Sequence, residues 1–155
     1  MKILGAAQIR VLEKATMNEA GITSLELMER AGEAFCNWFL DVYSPEDGPV
    51  HIFVGPGNNG GDGLVIARLL CKKFFEVQLF ICHLSDTFSN EFNENFKLLP
   101  DKGAIDIIEL KDGDDYPIFD EPGIIVDALL GIGISRPFSE YWLSLIHISE
   151  PTRPY

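Results

Sequence analysis

A chain of 155 residues is the size of one domain with a real core, and its 46% hydrophobic and 23% charged residues are those of a globular protein. Its formal net charge of −12 argues against a nucleic-acid partner and against an anionic membrane surface. It also gives no long-range attraction for an anionic ligand, so any phosphate has to be held by local dipoles or a bound cation.

Three cysteines, Cys36, Cys71 and Cys82, are odd in number and sit in apolar text. They read as buried thiols in a reducing compartment, not as a metal cluster. Residues 1–7 lack the apolar length of a signal peptide, and no segment is long enough to span a membrane. The expected location is cytoplasmic.

Ile9, Leu12 and Ala15 recur at helical spacing, which predicts a first helix over 6–18, closed by Gly21. Thr23 and Glu26 then form a capping box, with Ile22 and Leu27 spaced as a hydrophobic staple. The helix that follows carries Leu27, Met28, Ala31, Ala34, Phe35, Trp38, Phe39 and Val42 on one face. Met28 and Trp38 there are expected in the core.

After a loop over 44–49, strands are predicted at 50–54, 76–82, 105–109 and 124–129, with helices at about 62–74 and around Phe88, Phe92, Phe96 and Leu99. The fourth strand is apolar on both faces and is expected inside a parallel sheet. The acidic loop at 112–115 reads as solvated, and His83 as structural or solvent-facing without a partner. Alternating strand and helix predict an α/β fold: a doubly wound, Rossmann-like, mostly parallel sheet. In the order 3-2-1-4-5 the loops after strands one and four would be neighbours at the switch point.

The first of those loops is Gly55-Pro56-Gly57-Asn58-Asn59-Gly60-Gly61-Asp62-Gly63. A strand, a glycine loop and a helix start make an anion-attracting place. The text fits G-x-G-x-x-G, but no acid for a ribose follows at the end of the second strand, Gln78 to Cys82. No Lys-Ser or Lys-Thr follows Gly60, so a Walker loop fails as well. The loop offers oxygens and amides from Asn58, Asn59 and Asp62 and no cation. A plain glycine turn with Asn at left-handed positions is the simpler alternative. Asp62, placed at a helix start, is expected to have a lowered pKa and to suit ligand binding better than proton donation. Asp127, near the end of a buried strand, needs a partner: loop amides or a cation shared with Asn59. Such an all-oxygen set suits a hard cation and not zinc.

This loop resembles the signature of the NAD(P)H-hydrate epimerases, the YjeF N-terminal domain family. So do Gln8-Ile9-Arg10, Gly21-Ile22, Leu27-Met28-Glu29-Arg30-Ala31-Gly32 and the stretch Asp127 to Pro137. The resemblance covers about residues 1–140. It implies interconversion of the R and S forms of hydrated NADH and NADPH in nucleotide repair. It implies substrate contacts at Asn58, Asn59, Gly60, Gly61 and Asp62, and at Gly131, Ile132, Gly133, Ile134, Ser135, Arg136 and Pro137. It also implies a potassium ion on Asn59 and Asp127, a homodimer, and in some members a fused C-terminal dehydratase. A non-catalytic nucleotide-sensing domain on the same fold is the alternative.

Past Trp142 the text matches nothing expected of the family and reads as a foreign tail over 143–155, so His147 is set aside as a catalytic candidate. On this reading the domain is truncated after about strand four. The acid-base Asp expected of the family lies beyond the chain, turnover is lost, and strand four is left as an exposed edge prone to association.

Overall fold

The computed structural model describes residues 4–100, 103–119, 121–132 and 138–149. In chain order the elements are α1 (Ala6–Ala20), α2 (Ser24–Val42), a 3-10 turn (Pro45–Asp47), β1 (Val50–Val54), α3 (Asn58–Lys72), β2 (Val77–Cys82), α4 (Asn90–Lys97), β3 (Asp106–Leu110), β4 (Ile124–Ala128) and α5 (Glu140–Ser149). The four strands form one parallel sheet in the order β3-β2-β1-β4, as the alternation predicts. β1 is central: Phe53 pairs with Phe80 of β2 on one side and with Asp127 of β4 on the other.

Two apolar layers sandwich the sheet. On one face Val50, Ile52, Val54, Leu79 and Val126 meet Cys36 and Phe39 of α2, Leu64 and Leu70 of α3, and Phe92 of α4. On the other, Phe53, Phe80 and Cys82 meet Leu129 and the α5 residues Trp142 and Leu145, with Phe119 packed against them. The β3–β4 connection therefore crosses the second face as a loop. It seats Phe119 edge-on to Phe53 and Phe80, and no helix lies between β3 and β4 among the described residues.

Local chemistry sets the boundaries. Gly21 adopts φ 64° and caps α1, a conformation that costs glycine little. The predicted capping box opens α2: the Thr23 N–H donates to Glu26 Oε2 and the Glu26 N–H to Thr23 Oγ1.

Four expectations need correction. α3 begins at Asn58 and not near residue 62, because Gly57 caps it and the Gly61 N–H already donates to Gly57 O. The buried stripe of α2 is Met28, Gly32, Cys36 and Phe39. Ala31, Ala34, Trp38 and Val42 are exposed, Trp38 by 55%. Glycine at position 32 decides this, since a Cβ there would lie 2.4 Å from Val65 Cγ1, and so α2 lies on α3 along the glycine side. β4 is the sheet edge expected of this chain among the described residues, but its second face, expected to be apolar, shows Asp127 as well as Ile125 to solvent. Residues 144–148, expected to be too short to cover the sheet, lie within α5, which buries Trp142 and Leu145.

Candidate functional site

The carboxyl edge of β1 and β4 is built by close backbone contacts. The Gly55 N–H donates to Ala128 O at 3.1 Å. A Cβ on Gly55 would fall 2.0 Å from Leu129 O, and one on Gly60 would fall 1.8 Å from Gly55 O. Only glycine permits this turn, which aims the start of α3 at the end of β4. With the first intrahelical bond running from Gly61 to Gly57, the amides of Asn58, Asn59 and Gly60 are the orphan donors of the helix start.

The two sequence motifs meet here. Asn59 Nδ2 donates to Leu130 O at 3.1 Å. Gly131 lies so close that a Cβ on it would come within 3.3 Å of Asn59 Cβ. Asn58, Gly131 and Ile132 are exposed around this contact, and Asn59 is half-buried. Gly60 and Gly61 are buried; Gly61 backs onto Met28, whose Sδ would be 2.8 Å from a Cβ there. These two glycines thus shape the edge from beneath. Gly133, Ile134, Ser135, Arg136 and Pro137 lie outside the described residues.

Asp127 Oδ1 accepts from the Leu129 N–H at 2.9 Å, the loop-amide partner anticipated for it. Because Asn59 gives its amide nitrogen to Leu130 O, its side-chain oxygen is the atom left for a ligand. Amide, carboxylate and carbonyl oxygens fit a hard cation such as potassium. Among the described residues there is no cluster of three His, Cys, Asp or Glu of the kind that holds a transition metal.

Asp62 departs from expectation. Its pKa is pushed up to about 6, first by burial and then by the Glu13 carboxylate. The reason is positional: with α3 starting at Asn58, Asp62 is past the free amides of the first turn that would stabilise its charge. It can exchange a proton near neutral pH.

The thiols of Cys36 and Cys82 are buried and pushed up to about 11 and about 12, chiefly by burial, and are inert; Cys71 is half-buried. His83 has a partner after all, Glu109 Oε2 at 3.1 Å, and sits edge-on to Phe88. The sequence reading passed over His51. It is buried in β1 against Phe119, with ring centroids 4.1 Å apart and neither ring nitrogen hydrogen-bonded among the described residues. A histidine amid the apolar residues of a central strand was the signal available. The side chain of His147 lies outside the described residues.

Fold and edge together define a parallel α/β domain whose glycine-rich helix start and β4 end meet at the switch point between β1 and β4. Residues 24–154 match the family model of the YjeF-related protein N-terminus. The chain belongs to that family. It is 33% identical to an NAD(P)H-hydrate epimerase of Rhodobacter capsulatus over 99% of this chain and 73% of the relative. It is 34% identical to a bifunctional NAD(P)H-hydrate repair enzyme of Salinibacter ruber over 93% of this chain and 29% of that one. The crystal structure of yeast ynu0 superposes with a TM-score of 0.69 at 25% identity, covering 95% of this chain and 64% of that one. The chain thus spans 64–73% of the length of the first three epimerases matched.

Proposed function

We propose that this chain is part of an epimerase domain of nicotinamide-nucleotide repair, whose intact form acts on the R and S forms of hydrated NADH and NADPH. The observation that carries the reading is the Asn59–Leu130 bond, which joins the glycine-rich start of α3 to the end of β4. It gathers orphan amides, side-chain oxygens and an exposed backbone edge at one place. In this reading the amides of Asn58, Asn59 and Gly60 hold a pyrophosphate, and Gly131 and Ile132 contact the nucleotide. Asn59 and Asp127 hold a potassium ion. When bound, that ion offsets phosphate charge, which a chain of net charge −12 does not do at long range. Inversion of the hydroxyl-bearing ring carbon calls for loss and return of the hydroxyl, or ring opening, with a carboxylic acid assisting.

The relatives named as bifunctional repair enzymes support a fused dehydratase in longer members. No helix among the described residues is long and apolar enough to cross a membrane, and a cytoplasmic location accords with the free thiols. Self-association is part of the reading: α1 buries none of its residues, and Val11, Leu12, Trp38 and Val42 expose apolar surface on α1 and α2.

The test is incubation of an intact homologous domain with pure R-NADHX in potassium buffer, with the epimers separated chromatographically. Growth of the S form above the spontaneous rate is expected. Saturable binding without such growth would favour the sensing domain instead.

A further inference from the structure

The glycine-rich start of α3 is held from beneath as well as from β4. A Cβ on Gly61 would lie 2.8 Å from Met28 Sδ and 3.0 Å from its Cε, so the helix start rests directly on this buried side chain of α2. The sulfur is held in turn by Asn95 of α4. Asn95 Nδ2 donates to Met28 Sδ at 3.2 Å and to Glu91 O of its own helix at 3.0 Å. The two N–H groups of one amide thus tie α4 to the side chain under Gly61. The same helix reaches the turn ahead of α3, where the Ser89 N–H donates to Pro56 O at 2.8 Å.

Packing alone does not call for asparagine at position 95. Asn95 and His51 are the buried polar side chains among the described residues. Burying an amide carries a desolvation cost that leucine lacks, and a thioether is a weak acceptor that offsets little of it. Methionine is unbranched, with three rotatable bonds, so apolar surroundings leave it several ways to sit. The bond from Asn95 selects one of them, the one that puts sulfur against Gly61.

We propose that Asn95 is a positioning residue for the switch point: by fixing the Met28 sulfur under Gly61, it sets where the orphan amides of Asn58, Asn59 and Gly60 stand. Those amides belong to the turn that rests on the sulfur. A Met28 side chain free to change rotamer lets that turn move, and a displacement of about 1 Å is enough to spoil N–H groups converging on an anion. That the anion is the pyrophosphate of hydrated NADH rests on the function proposed above; the placement of the amides does not.

The test compares the full chain with Asn95→Leu, Met28→Leu and the double variant, in amide NMR spectra recorded without and with NADHX. Asn95→Leu removes the donor but keeps the branching of the side chain, and Met28→Leu removes the acceptor but keeps an apolar side chain. Both should displace the ligand-free resonances of Asn58 to Gly61 and raise the Kd for NADHX roughly tenfold. The double variant should bind no more weakly than the weaker single, because the two side chains act as one unit. Asn95→Leu should melt no lower than the parent, since it removes a buried amide. A lower melting temperature with those resonances unmoved would make Asn95 a merely structural residue and overturn the proposal. So would additive losses of affinity, or an unchanged Kd in both single variants. A parent chain that binds no NADHX would sink the proposed function alone, and the ligand-free resonances would still decide whether Asn95 places the amides.

Discussion

Two titratable groups, the buried His51 and the half-buried Asp62, pull the pH dependence of stability in opposite directions. His51 has its pKa lowered from 6.5, chiefly by burial, so the fold favours the neutral ring. Its contribution is complete above the unfolded value and is lost as pH falls below it. Asp62 is raised from 3.8 to about 6, so the fold favours the protonated acid, and stability is gained as pH falls from about 6 towards the unfolded value. His51→Phe should therefore flatten the decline of melting temperature below pH 6.5. Asp62→Asn should raise the melting temperature at pH 8 and lose that advantage near pH 4, by thermal melts across the range. An Asp62→Asn gain that persisted unchanged in acid would contradict a raised pKa. Gly60 is a backbone matter: with Gly55 O only 1.8 Å from a built Cβ, Gly60→Ala should cost roughly 3 kcal/mol or more in a denaturant melt.

At the scale of elements, the strands and the α2 cap were legible because each rests on local chemistry: apolar runs, turn residues, and the Thr23–Glu26 pair. The start of α3 was not, because Asn and Gly read as loop, and only the cap at Gly57 and the packing of Gly61 on Met28 draw them into the helix. Nor was the buried face of α2. Its period is right, but the choice of stripe depends on the close approach at Gly32, a tertiary fact. The exposed stripe that results, with Trp38 55% and Leu12 56% accessible, is predicted to lie in a self-interface. Leu12→Glu and Trp38→Glu should each shift the molar mass measured by light scattering from dimer to monomer. A mass unchanged by both variants would remove α1 and α2 from any such interface.

For the whole molecule, strand order followed from alternation and the crossover rules, and from them the meeting of residues 55–63 with 127–132. The loop crossing from β3 to β4 was invisible, since Phe119 acts only through contacts with strands distant in sequence. The edge position of β4 follows from the sheet as described, and its open face shows in the exposure of Ile125 and Asp127.

The β1–β4 switch point is the proposed NAD(P)HX site. The most direct measurement is a titration of the isotopically labelled chain with NADHX in potassium buffer, read residue by residue in amide NMR spectra. Saturable shifts are expected at Asn58 to Asp62 and at Leu130 to Ile132, abolished by Asn59→Ala, with the amides of Arg68 to Phe74 unmoved. Shifts confined to other parts of the fold, or none at saturating NADHX, would contradict it.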